Sequence, residues 1–143
     1  MKVIYTAIAT STGDGRASGR AVSDDGVLDV AIAAPASLGG SGAGTNPEQL
    51  FAAGWATCFH SALKGVAKAE GVTLEDSAVV AEIGLGTQGD GTYGIQAALH
   101  VEIGGGVDQA TADRLVARAH EVCPYSNATR GNVEVTLSAT VAA

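Results

Sequence analysis

Asn46-Pro47-Glu48-Gln49-Leu50-Phe51-Ala52-Ala53-Gly54-Trp55-Ala56-Thr57-Cys58-Phe59 is the stretch around which the rest of the chain must be arranged. Asn can cap a helix, Pro fits the first helical position, and Gln49 stands at the third, where a capping box places Glu or Gln. Phe51, Trp55, Cys58, Ala62 and Val66 then recur at helical spacing, and Gly71 is a stop. A central, largely buried helix is expected, with Cys58 on the apolar stripe that faces the core.

Upstream, Val3, Tyr5 and Ala7 alternate with Ile4, Thr6 and Ile8, which suits a strand. Val22-Ser23 and Val27 to Ile32 flank the turn signal Asp24-Asp25-Gly26, so a hairpin is expected there. The Gly-, Ser- and Pro-rich segment from Ala34 to Thr45 reads as a loop, a flexible lid or a crossing. Downstream, Ala78, Val80 and Glu82 open an extended run, and Gly86 to Gly91 reads as a turn. Tyr93, Ile95, Ala97, Leu99, Val101 and Ile103 then alternate as a half-buried strand. Asp108 can cap a second helix carrying Leu115, Val116, Ala119 and Val122. Cys123 falls at its end, because a residue before proline leaves helical geometry. From Asn132 to Val141 the alternation returns, with Val133, Val135, Leu137, Ala139 and Val141 inward. This order of elements is that of an α+β domain.

The 143 residues, 46% of them apolar, suffice for one core but not two, so the chain reads as a single domain over 1–143. Aromatic residues are only 4%, so the core must be built from small side chains packed closely. A net charge of −7, with eight Lys and Arg scattered from Lys2 to Arg130, leaves no basic stripe for a phosphate backbone. Nucleic acid is therefore not an expected partner. Met1 to Thr6 alternates at once, unlike a secretory signal, and no apolar run approaches the roughly 20 residues of a membrane span. No membrane partner and a cytoplasmic location are expected. There, paired cysteines are more often catalytic or metal-binding than structural.

The two cysteines, each on a helix, could be inert small hydrophobes. Cys58-x-His60 and His120-x-x-Cys123 could also supply four ligands to a structural zinc ion. However, residues two apart on a helix point to different sides, and zinc pairs usually stand further apart in loops. A Cys–His hydrolase would leave Cys123 without a role. The loop Gly39-Gly40-Ser41-Gly42-Ala43-Gly44-Thr45 lacks the Lys of a phosphate-binding loop, and no nucleotide, flavin or haem is implied.

Two longer segments are more specific. Gly44-Thr45-Asn46-Pro47-Glu48-Gln49-Leu50-Phe51-Ala52-Ala53-Gly54-Trp55-Ala56-Thr57-Cys58-Phe59 and Val122-Cys123-Pro124-Tyr125-Ser126-Asn127-Ala128-Thr129-Arg130-Gly131-Asn132 resemble the signature segments of the organic hydroperoxide resistance (Ohr) family, within the OsmC-like superfamily. Tyr5-Thr6-Ala7 and Ser23-Asp24-Asp25-Gly26-Val27-Leu28-Asp29 extend the likeness over essentially the whole chain. The run after Cys123-Pro124 is similar to Ohr rather than to the OsmC branch. The resemblance implies β-sheets wrapped around two central helices in an intertwined homodimer, with a site at each interface. It also implies a thiol peroxidase acting on organic hydroperoxides, with Cys58 peroxidatic, Cys123 resolving, and an Arg and a Glu as the activating pair. Glu48 matches the family's Glu. Of the two arginines in Gly13-Asp14-Gly15-Arg16-Ala17-Ser18-Gly19-Arg20, a segment one residue longer than the usual pattern, Arg16 follows the Gly-x-Gly and is taken over Arg20. No bound cofactor is implied. Dihydrolipoyl groups of lipoylated proteins are the reductant that the resemblance implies.

The chemistry requires such residues. A thiol near its free pKa is only a few per cent thiolate at neutral pH, and burial worsens this, so Cys58 needs a cation. A guanidinium stays charged, can hydrogen-bond the thiolate and can stabilise the leaving alkoxide, while Glu48 would hold its fork bidentately. Attack leaves a sulfenic acid, which Cys123 converts to a disulfide before it can be oxidised irreversibly. An external dithiol must then reopen that bond. Phe51, Trp55 and Phe59 suggest an apolar channel suited to alkyl or fatty-acyl hydroperoxides, with Trp55 standing where Tyr is common in the family. Ten residues of straight helix would separate Glu48 from Cys58 by about 15 Å. Either the chain bends near Gly54, or Arg16 and Glu48 reach the Cys58 of a second subunit.

Overall fold

The computed structural model describes residues 1–142. They form two compact units, Met1–Leu50 and the chain from Phe51 onward.

In the first unit, β1 (Ala9–Gly13), β2 (Ser18–Ser23) and β3 (Asp29–Ala33) make an antiparallel sheet in the order β1-β2-β3. The expected hairpin is the β2–β3 connection, in register Val22↔Asp29. Its turn is held by Asp25, whose Oδ1 accepts from the Val27 N–H at 3.0 Å, and by Gly26 at φ 71. The strand expected from Val3 to Ile8 does not form a ladder. β2 runs out at Ser23, opposite Ala9, and alternation without a neighbouring strand cannot satisfy backbone groups. Val3, Ile4, Tyr5 and Ile8 are consequently exposed.

The Gly-rich segment is a packed crossing rather than a lid. After a short 3-10 turn at Ala36–Leu38, Thr45 bridges β3, donating to the Ala31 carbonyl and accepting from the Ala33 N–H, both at 2.9 Å. Glycine is needed for this closeness, since a Cβ on Gly44 would lie 2.6 Å from the Ala31 oxygen. α1 (Pro47–Ala69) starts in this unit. Asn46 caps it, its Oδ1 accepting from the Gln49 N–H at 2.9 Å, while the Gln49 side chain turns to Thr45 instead of closing a capping box. The helix runs through Gly54 without a break.

In the second unit, β4 (Ser77–Thr87) and β5 (Tyr93–Ile103) are antiparallel, and β6 (Val135–Val141) lies parallel to β5. A parallel neighbour needs a crossover, which α2 (Gln109–Val122) and α3 (Pro124–Thr129) provide. Asp108 caps α2, accepting from the Thr111 N–H at 2.8 Å. The core joins Trp55, Phe59, Leu63 and Val66 of α1 to Leu99, Val101 and Ile103 of β5 and to Ala112, Leu115, Val116 and Ala119 of α2. The buried arc of α1 thus follows Trp55, Phe59 and Leu63. Cys58, roughly 60° round the helix from Trp55, is half-buried and packs against the border of this core. Of the side chains expected along one side of α2, Leu115, Val116 and Ala119 are buried, and Val122, the last residue of the helix, is 41% exposed.

Candidate functional site

Cys58 and Cys123, 65 positions apart in the chain, are brought together, with their sulfurs 3.7 Å apart. Both are free thiols, Cys58 half-buried and Cys123 fully buried. Cys123 closes α2, its N–H donating to the Ala119 carbonyl at 2.9 Å, while its ψ of 124 leaves helical geometry as the following proline requires. Pro124 does not only stop α2. It also occupies the first position of α3, a helix that the sequence reading left out although Pro at that position is its signal. A disulfide requires about 2.05 Å between sulfurs, so these two need approach by only about 1.7 Å.

Burial pushes the Cys58 thiol above its ordinary value, the neighbouring Cys123 adds to this, and a hydrogen bond from the Tyr125 backbone opposes it. An open groove of about 760 Å³ starts at Cys58 and is walled by Ala62, Gly65, Val66, Ala69 and Pro124, with Glu70 and Arg118 supplying charge. Of the rings expected along a channel, Trp55 and Phe59 are fully buried in the core and Phe51 is half-buried against them. Phe51 meets Trp55 edge-on, with ring centroids 5.7 Å apart.

Arg16 and Glu48 also come together. Arg16 stands in the β1–β2 loop, where Gly13 and Gly15 take positive φ and the Asp14 N–H donates to the Ser18 carbonyl at 2.7 Å. Its two terminal nitrogens donate to the two Glu48 oxygens, each at 2.8 Å, a fork-to-fork pair. The Arg16 hydrogen bond holds the Glu48 carboxyl below its usual range. Arg20 instead forks onto Asp29 of the neighbouring strand, at 2.6 and 2.5 Å. The geometry therefore separates the two arginines, and it is Arg16 that engages Glu48.

His60 shares a 2.9 Å hydrogen bond with Ser77, and His120 lies beside Phe59 with its Nδ1 buried and unpartnered. Among the described residues, no group of three or more His, Cys, Asp or Glu side chains converges as a metal site, so the zinc arrangement of Cys58, His60, His120 and Cys123 is not assembled. Among the described residues, no helix is long and apolar enough to cross a membrane.

Residues 39–138 match the OsmC-like protein family. The chain is 51% identical over 139 residues to an organic hydroperoxide resistance protein of Xanthomonas axonopodis pv. citri, spanning 96% of this chain and 95% of that one. It is 47% identical over 135 residues to the organic hydroperoxide resistance protein OhrB of Bacillus subtilis, covering 94% and 96% of the two chains. The crystal structure of an organic hydroperoxide resistance protein from Legionella pneumophila superposes with a TM-score of 0.91 at 47% identity, over 98% of this chain and all of the other.

Proposed function

The chain belongs to the organic hydroperoxide resistance family of OsmC-like proteins, and from that premise we propose that it is a thiol-dependent peroxidase that reduces organic hydroperoxides to alcohols. The observation that carries the reading is the 3.7 Å separation of Cys58 and Cys123, two reduced sulfurs set for a disulfide at the edge of an apolar groove. The Cys58 thiolate attacks the terminal peroxide oxygen. An S–O bond forms, the O–O bond breaks, and the departing alkoxide takes a proton to leave as the alcohol. Cys123 sulfur then attacks the Cys58 sulfenic acid. The S–O bond breaks, hydroxide leaves as water with the Cys123 proton, and the disulfide remains. An external dithiol, such as a dihydrolipoyl group on a lipoylated protein, restores the two thiols by exchange. Such a cycle fits a reducing cytoplasm.

Arg16 and Glu48 supply the activating pair. Ten residues of unbroken α1 separate Glu48 from Cys58, which favours their acting on the Cys58 of a second subunit. The exposed apolar side chains Val3, Ile4, Tyr5 and Ile8 fit an N-terminal segment covered in a homodimer. The largely apolar groove beside Cys58 selects alkyl and fatty-acyl hydroperoxides over hydrogen peroxide.

The test is consumption of cumene hydroperoxide by the pure protein with dihydrolipoamide or a monothiol, beside Cys58→Ser and Cys123→Ser. Turnover favouring dihydrolipoamide and abolished in Cys58→Ser is the expected result. No turnover with any dithiol overturns the peroxidase reading, comparable turnover of hydrogen peroxide overturns the groove selectivity, and a fully active monomer in sedimentation overturns the second-subunit account.

A further inference from the structure

α3 has six residues, too few to hold a helical shape or a position unaided. Yet it sets the chain direction immediately after Cys123, so whatever anchors it also places the Cys123 sulfur. The anchor is polar and buried. Trp55 Nε1 donates to Ser126 Oγ at 3.2 Å, and both residues are completely enclosed. Tyr125 lies against Gly54 so closely that a Cβ there would be 3.2 Å from its Cε2, and its ring stands 6.3 Å from that of Phe51. Trp55 precedes Cys58 by three residues on α1, and Ser126 follows Cys123 by three, so one hydrogen bond brackets both sulfurs. An indole N–H left unpaired in a core is costly, which makes this bond a directional constraint that apolar packing does not supply.

We infer that Trp55 and Ser126 are positioning residues for disulfide closure, their buried hydrogen bond holding α3 where the Cys123 sulfur meets that of Cys58. The bond governs the rate and the equilibrium of Cys58–Cys123 bond formation and leaves the attack on peroxide to Cys58 and its activating pair. The closing step rests on the peroxidase reading. The dithiol–disulfide equilibrium does not, since it can be set by any thiol buffer.

The experiment uses the full chain with Ser126→Ala, Trp55→Phe and the double variant. Equilibration against dithiothreitol redox buffers should show the disulfide equilibrium constant lowered about tenfold in each single variant, a shift of about 30 mV. The double variant should shift little further, because the same bond is lost. With cumene hydroperoxide, trapping by dimedone should show sulfenic acid formed at a rate within about twofold of wild type. Its closure to the disulfide should be slowed about 10- to 100-fold. An equilibrium unchanged or moved the other way in both single variants overturns the inference, as do additive shifts in the double variant, or formation slowed as much as closure. Should Ser126→Ala not fold, Trp55→Phe, which keeps a ring in the core, carries the same measurements. If wild-type protein forms no sulfenic acid, the peroxidase reading falls, while the buffer equilibrium still decides the positioning role.

Discussion

Replacing Arg16 by Ala tests the activating role proposed for Arg16 and Glu48. Burial raises the Cys58 thiol above its ordinary value of 9.0, and a group at that value is only about 1% thiolate at pH 7. A guanidinium hydrogen-bonded to the sulfur would oppose that shift and favour the thiolate. Removing it should lower thiolate reactivity at pH 7 by about tenfold for each unit that the guanidinium holds the pKa down. It also removes a charged donor from the leaving alkoxide, which costs about a further 100-fold in the peroxide step. The two effects separate by assay. Alkylation of Cys58 by iodoacetamide across pH reports thiolate alone, and the second-order rate with cumene hydroperoxide reports both. Arg16→Ala should move the alkylation midpoint upward and lose more in peroxide attack than in alkylation. Arg20→Ala should change neither, because Arg20 is spent on Asp29. An unmoved alkylation midpoint in Arg16→Ala, or an equal defect in Arg20→Ala, would refute the reasoning.

Three other outcomes follow from the fold. Arg16 lowers the Glu48 pKa in the folded protein, so the pair's contribution to stability is present above about pH 4.5 and lost as pH falls through the depressed folded value. Acid unfolding followed by circular dichroism should accordingly be shallower in Glu48→Gln than in wild type. Leu99, wholly enclosed on the central strand of its sheet, should cost about 2–5 kcal/mol on truncation to Ala, read as a lower urea midpoint at unchanged slope. Asp108→Ala removes the cap of α2 and should lower the urea midpoint in the same assay.

Local chemistry was legible wherever it decided the outcome. Asn46-Pro47 and Asp108 announce their helices because capping needs only the residues beside the cap. The β4–β5 hairpin and β6 follow from alternation against a buried face. Alternation misled from Val3 to Ile8, where the pattern is correct but β2 ends too soon to offer a partner. α3 was missed because a proline that ends one helix also starts the next, and six residues carry too little periodicity to declare it.

The candidate site divides along the same line. By itself the sequence determined its composition: two cysteines on helices, a Glu in the first turn of α1, and an Arg after a Gly-x-Gly, all within segments resembling one family. It favoured Arg16, which follows the Gly-x-Gly, but could not settle the choice, since Arg20 also follows a glycine. In the fold the β2–β3 register sets Arg20 beside Asp29, and Arg16, in the β1–β2 loop, clasps Glu48. Nor could it tell apart Trp55 and Cys58 on the same stripe, the one enclosed and the other half-buried, because helical spacing gives a period and not the angle at which the helix docks. Only packing against β5 and α2 sets that angle, and it brings two sulfurs from distant parts of the chain to 3.7 Å.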